Sequence, residues 1–345
     1  MLLAPASSVL AALLVALIAD ALLGEPPWLY ARLPHPVVAM GRAITALEVL
    51  LLRPADGEAR KRALGVATLL LLLLAALLPA LGLQALLARL PGGWLVEGLL
   101  IATLLAQRSL VEHVGAVADA LARDLPAARA AVARIVGRDP ERLDAPAIGR
   151  AAVETLAENL SDGVLAPLFW GLVLGLPGVL AYKMVNTLDS MIGHRSPRHR
   201  AFGWASARLD DLLNLIPARA SGILICLAGW LGRGVVPLAS LRIMQRSAPR
   251  HRSPNAGWPE AAMAAVLGLR LAGPRSARGA RRASAARCSC RAHRRPSARS
   301  SGRPACSRAR NRKNPRAALR WRDATGLPSR HGSRSPGGSP ASRAS

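Results

Sequence analysis

The residues best suited to chemistry crowd into four short stretches of this 345-residue chain. In the first, Ala151–Asp162, the acids Glu154, Glu158 and Asp162 stand at i, i+4 and i+8. One continuous helix would carry them as a single stripe, with Asn159 beside it. Three carboxylates on one face repel each other unless protons or a cation intervene. A magnesium ion held by one or two carboxylates plus a nucleotide phosphate suits that need, with Glu154 and Glu158 as candidate ligands. A solvated face is the plainer alternative, but this stripe runs straight into an apolar segment, where charge is costly to carry without purpose.

The second stretch, Tyr182–Arg195, holds Lys183, Asn186, Asp189 and Arg195. Lys183 is one of three lysines among 46 basic residues. A compact ammonium at a membrane boundary can contact phosphate as a point charge, a role the planar guanidinium fills differently. The third stretch, Ser206–Arg219, crowds Asp210, Asp211 and Asn214 ahead of apolar residues, flanked by Arg208 and Arg219. The fourth, His251–Glu260, is a turn-rich loop with His251, Asn255 and Glu260.

Several common site patterns are missing. The surroundings of Lys61, Lys183 and Lys313 all fail the G-x-x-x-x-G-K-[ST] pattern. Neither G-x-S-x-G nor H-E-x-x-H occurs, and no G-x-G-x-x-G follows a strand. Any nucleotide must therefore be bound by something other than a Walker loop. His35, His113, His194, His199 and His251 are scattered rather than clustered. Cys226 lies in an apolar run and reads as a small buried hydrophobe. Cys288, Cys290 and Cys306 lack the paired spacing of a zinc site.

The elements that must position these groups are membrane helices. Between Arg62 and Arg89 there is no charge, and at 1.5 Å per residue such a run crosses a hydrocarbon core of about 30 Å. Residues 1–19 are uncharged too, with no basic n-region, which favours a retained span over a signal peptide. Residues 94–106, after the turn Pro91–Gly93, form a returning hairpin arm. Residues 215–232 are apolar apart from Arg219, and a weaker segment, 261–272, is too short to span alone. Residues 164–182 are apolar but broken by Pro167 and by Gly175–Gly178. A re-entrant hairpin there would keep the basic loop 183–211 on the same side as the basic loops 32–62 and 108–150, which the positive-inside rule places in the cytoplasm. The expected class is an all-α, polytopic membrane protein with four or five membrane segments and an amphipathic helical connection over 108–162.

Taken in order, the motifs resemble the CobD/CbiB family of cobalamin-biosynthesis membrane proteins, the adenosylcobinamide-phosphate synthases. The resemblance runs through ADALLGEPPW, HPVVAMGR, AVETLAENLSDGVLAPLFW, YKMVNTLDSMIGHR, FGWASARLDDLLNLIPAR and HRSPNAGWPE, nearly all of residues 16–274. It implies an ATP-dependent ligase of the bacterial inner membrane, with Mg2+. Such an enzyme joins aminopropanol, or its O-phosphate, to the corrinoid adenosylcobyric acid through an amide. The lipid bilayer is its other partner, with no nucleic acid. By analogy with that chemistry, Glu154, Glu158 and Asp162 take metal or general-base duty. Lys183, Arg195 and Arg208 are placed at phosphate. Asn186, Asp189, Asp210 and Asp211 make nucleotide–metal or amine contacts, and Asn159 and Asn255 line the substrate or nucleotide. A non-catalytic, AmpE-like regulatory membrane protein shares the general architecture, but the ENLSDG, NTLDSM and SPNAG sets favour the synthase. A transporter would want an inverted repeat, and none is visible.

The chain departs from this resemblance after Pro274. Residues 275–345 carry 20 Lys and Arg against one acid, Asp323, and contain no Val, Ile, Met, Phe or Tyr. That composition buries no core. It reads as a disordered basic tail or as the product of a shifted reading frame in a GC-rich gene. Most of the net charge of +26 belongs to it and says little about what residues 1–274 bind.

Overall fold

Long uncharged runs of Leu and Ala have one stable backbone state in hydrocarbon, because a helix satisfies every peptide group internally. The fold follows that rule. A computed structural model describes residues 6–136, 140–193, 196–269 and 271. His194, Arg195 and the tail from 272 onward lie outside the described residues. The helices are α1 (Ala6–Leu23), α2 (Pro27–Tyr30), α3 (Pro36–Leu51), α4 (Glu58–Leu87), α5 (Gly93–Ala102), α6 (Gln107–Arg123), α7 (Leu125–Val132) and α8 (Ala145–Leu160). A π-helical turn at Ser161–Leu165 leads into α9 (Ala166–Leu174) and α10 (Leu176–Ile192). Then come α11 (Trp204–Leu213), α12 (Leu215–Arg233), α13 (Pro237–Ser247) and α14 (Gly257–Leu267). The described residues contain no strand.

Among the described residues three helical stretches are long and apolar enough to cross a membrane: Glu58–Leu87, Gly93–Arg123 and Leu215–Arg233, with a shorter apolar one at Ser7–Leu23. Helix α4 is 30 residues long, or about 45 Å. Its leucines 70, 71, 74 and 78 are each more than half exposed, a surface that lipid covers and water does not tolerate. The expected arm 94–106 is longer than the sequence suggested. It bends at 103–106 and continues as α6. Its first half packs on α1, where Gly98 is so close to the Ala12 carbonyl that a Cβ would stand 2.6 Å from it. The weak segment at 261–272 is no span: α14 ends at Leu267 and is packed against α12.

The segment 164–182 folds back on itself as the Gly-Pro interruption suggested. Gly175 takes φ +68°, a left-handed conformation that only glycine adopts cheaply. The returning helix α10 comes so near α9 that a Cβ on Gly178 would lie 2.1 Å from the Trp170 carbonyl oxygen. Nine-residue α9 reaches about 14 Å, too short to cross. The break is secured from inside. Glu97, buried on α5, accepts a hydrogen bond from the Leu176 amide at 3.1 Å, which satisfies an amide that a helix start otherwise leaves without a partner.

Three cores hold the helices. Leu13 and Ala16 of α1, Met40 and Ile44 of α3, Leu69 and Leu72 of α4, Ile101 of α5, and Met184, Val185 and Leu188 of α10 share the largest. Val117, Ala120, Val132, Ile148 and Ala152 join α6, α7 and α8 into a smaller unit, which forms the expected amphipathic connection. Asp124 and Asp144 start α7 and α8 there by accepting from the Ala127 and Ala147 amides at 2.7 and 2.9 Å, caps of the usual Asp type. Ile225, Cys226, Met244, Ala262 and Val266 pack α12, α13 and α14. Cys226 is the buried hydrophobe its sequence context suggested.

Candidate functional site

The folded-back helix α10 carries the second sequence cluster into contact with the third and brings Lys183 within electrostatic reach of Asp162 in the first. Helix α8 does not continue through the acidic stripe: it ends at Leu160, and the π-helical turn takes over at Ser161. The single stripe of three carboxylates is therefore divided. Glu154 is buried on α8, Glu158 and Asn159 are exposed, and Asp162 is half-buried in the widened turn. There the carboxylates of Asp210 and Glu158 repel the charge of Asp162 and the ammonium of Lys183 attracts it. A wide turn is a common device for re-aiming a side chain at a site. The turn is fastened by the Ala106 amide, which donates to the Gly163 carbonyl at 3.2 Å.

Lys183 is buried on α10, one turn before half-buried Asn186 and two before half-buried Asp189. Asn186 Nδ2 donates to Asp210 Oδ1 at 3.4 Å, and Asn214 Nδ2 donates to Asp210 Oδ2 at 3.1 Å. The Tyr182 hydroxyl donates to Asn214 Oδ1 at 3.0 Å. Asp210 is thus held by two carboxamides at the junction of α10 and α11. Burial pushes its carboxyl up to about 7; neighbouring Asp189 adds to the shift and the two carboxamides oppose it. Burial beside a like charge is a combination that recurs at functional sites. Asp189 folds back over the end of α10, close enough that any Cβ at Gly193 would meet its Oδ1 at 1.9 Å.

Asn255 reaches the same region from the loop before α14. Its Nδ2 donates to the Asp211 carbonyl at 2.7 Å, and Ser253 Oγ accepts from the Asn255 and Ala256 amides at 3.2 and 3.1 Å. Asn255 is buried, so it braces the chain around Asp211 as much as it lines a surface. Arg208 is exposed on α11. Arg195, assigned to phosphate on the resemblance, lies outside the described residues.

The donor set fits Mg2+. Asp162 and Asp210 offer hard carboxylate oxygens, and Lys183 supplies a counter-charge for phosphate. Among the described residues no group of three or more His, Cys, Asp and Glu forms a metal cage; a Mg2+ ion bound here would take one or two ligands from these carboxylates and the others from elsewhere.

Sequence reasoning passed over several members of this site. Asn214 stands among the acids with no role that its sequence context assigns, yet it links Tyr182 to Asp210. Asp20 is buried at the end of α1 and accepts from the Gln107 amide at 2.7 Å, beside the strand of chain that fastens the π turn. His35, which begins α3, lies within electrostatic reach of Lys183 and Glu25. Their only sequence signal was membership of the ADALLGEPPW and HPVVAMGR motifs.

A family model described as CobD/Cbib protein matches residues 13–300. The cobalamin biosynthesis protein CobD of Sinorhizobium fredii is 53% identical over 266 residues, covering 76% of this chain and 81% of that one. The protein of the same name from Rhizobium meliloti is 51% identical over 276 residues, covering 78% and 83%. That of Rhodobacter capsulatus is 51% identical over 270 residues, covering 77% and 82%. No solved structure matches. With most of its length matched by the family model, and half of the aligned residues identical in relatives covered over four-fifths of their own length, the chain belongs to the CobD/Cbib family.

Proposed function

We propose that this chain works in cobalamin biosynthesis as an ATP-dependent ligase of the bacterial inner membrane. It joins aminopropanol or its O-phosphate to adenosylcobyric acid and yields adenosylcobinamide or its phosphate. The observation that supports this most is the electrostatic coupling of Asp162 to Asp210 and to Lys183 of the folded-back helix α10 in a CobD/Cbib family chain. An amine does not displace oxygen from a carboxylate unaided, and Mg-ATP supplies the activation. The residues here have the complementary tasks. Lys183 neutralises phosphoryl oxygens, and the buried setting magnifies that effect. Asp162 and Asp210 hold the cation, with Asp189 close by. Exposed Glu158 stands where the amine arrives and takes its proton, with Asn159 beside it. Arg195 and Arg208 extend the positive rim, and Asn186 and Asn255 fix the carboxylates and the loop that face it.

The test uses membranes containing the full chain, supplied with adenosylcobyric acid, aminopropanol phosphate and Mg-ATP, with mass-spectrometric detection of the amide. ATP-dependent product is the expected result. No product from protein confirmed in the membrane, and none after the reading frame beyond Pro274 is restored, would reject the ligase and favour a regulatory relative. Replacing Glu158→Gln should abolish product without changing the amount of protein in the membrane; near-normal turnover would remove Glu158 from the mechanism.

A further inference from the structure

His35 begins α3 in an unusual way. The first orphan amides of a helix are normally met by Ser, Thr, Asp or Asn. Here the imidazole does it: His35 Nδ1 accepts from the Val37 amide at 3.2 Å, with Pro36 in the first helical position. A ring nitrogen that accepts an amide proton carries none of its own, so in the neutral ring the proton is on Nε2. The Tyr30 ring, 4.7 Å away centre to centre and tilted by 48°, braces the imidazole. Nε2 has no hydrogen-bond partner among the described residues. Helices α3 and α10 pack side by side through Met40, Ile44, Met184 and Val185, and a Cβ on Gly41 would sit 3.4 Å from Met191 Sδ. That packing sets the His35 ring within electrostatic reach of Lys183. Burial and the Lys183 charge both hold the ring neutral, against the pull of Glu25.

We propose that His35 is a binding residue, donating from Nε2 to a phosphoryl oxygen of the ligand that Lys183 neutralises. Resting on the ligase reading above, this adds a second, uncharged donor from a different helix to the phosphate site. The cap locks the tautomer, so His35 serves as a fixed donor and not as a base. The phosphoryl group belongs to the nucleotide or to the amino alcohol phosphate, and the two sources are separable.

The experiment compares wild type, His35→Ser and His35→Asp as full chains in detergent. It measures melting temperature, calorimetric binding of inorganic tripolyphosphate and of inorganic phosphate, and turnover. Ser and Asp both cap helices well, so melting should change little. A donor to a charged acceptor is worth about 10- to 100-fold in affinity, and His35→Ser should lose about that much. Asp, which adds a negative charge, should be the worst of the three. Loss confined to tripolyphosphate assigns the nucleotide, and loss confined to phosphate assigns the amino alcohol phosphate; both uphold the donor. Unchanged binding of both anions, or Asp equal to wild type, would overturn it and leave His35 as a cap. Should Ser lower the melting temperature, the ranking of Asp against Ser still decides, because capping alone never ranks Asp last. Absence of amide product from wild type would reject the ligase, while the anion titrations would still test the donor.

Discussion

Helices α4 and α10 lie against each other in one core, yet they bury themselves in opposite ways. Seven of the thirty residues of α4 are buried, against eleven of the seventeen of α10. Most of α4 meets lipid, which accepts any apolar side chain of suitable length. Helix α10 is enclosed by α3, α4, α9 and α11, and its polar side chains turn to Asp210 and Asn214 or to its own backbone carbonyls. The difference separates a helix whose requirement is hydropathy from one whose requirement is position. Substitutions should follow that division.

The largest effect is expected at Lys183. Lys183→Met keeps the length of the side chain and removes the charge, and turnover should fall by about 10²- to 10³-fold, the usual loss for one electrostatic stabiliser. Protein level in the membrane should hold, since a buried charge is replaced by an apolar group.

Asp210 sharpens the same contrast through pH. Burial raises its carboxyl to about 7 in the folded protein, so a Mg2+ ion held there, as proposed, would have to displace a proton below that point. Apparent Mg2+ affinity should drop by about tenfold per pH unit below 7, and in Asp210→Asn that dependence should vanish. Stability runs the other way. Between the unfolded value near 4 and the folded value near 7 the folded form binds the extra proton, so this group's stabilising contribution is complete at low pH and is lost as pH rises through 7. Unfolding in detergent from pH 4 to 8, wild type beside Asp210→Asn, checks the sign.

Two glycines of α4 break the comparison within one helix. A Cβ on Gly65 would lie 1.8 Å from the Phe202 carbonyl, whereas Gly82 has nothing within 4 Å. Gly65→Ala should cost about 1–3 kcal/mol by forcing the loop before α11 away. Gly82→Ala should stabilise by up to about 1 kcal/mol through helix propensity. The smallest effect belongs to Leu74, exposed on the lipid side. Leu74→Ala should change stability by about 0.5 kcal/mol or less and leave turnover alone.

Hydropathy and punctuation made much of the fold legible. The uncharged run after Arg62 became α4, and Gly175–Gly178 marked the fold-back because only a left-handed glycine and close helix approach fit there. The long stretch Gly93–Arg123 was underestimated because polar residues from Gln107 onward mask its helical continuation. The acidic stripe was legible as composition and misleading as geometry. A 3.6-residue period would align all three acids, but only Glu154 and Glu158 share the regular helix α8, one buried and one exposed, while the π turn at Ser161 takes Asp162 out of their line and within electrostatic reach of Lys183. The Asn214–Asp210 bond is local, at i and i+4, but the Tyr182–Asn214 bond and the approach of His35 to Lys183 come only from tertiary packing, and no local spacing announces a partner more than thirty residues away.

The most direct test of the α10–α11 cluster as the seat of ligation is ATP-dependent amide formation by Lys183→Met and Asp162→Asn beside Leu74→Ala. The three variants are compared at equal amounts of folded protein in membranes. The expected result is normal product from Leu74→Ala and a loss of about 10²-fold or more from the other two. Product from Lys183→Met and Asp162→Asn at the level of Leu74→Ala would contradict it and move the site elsewhere on the chain.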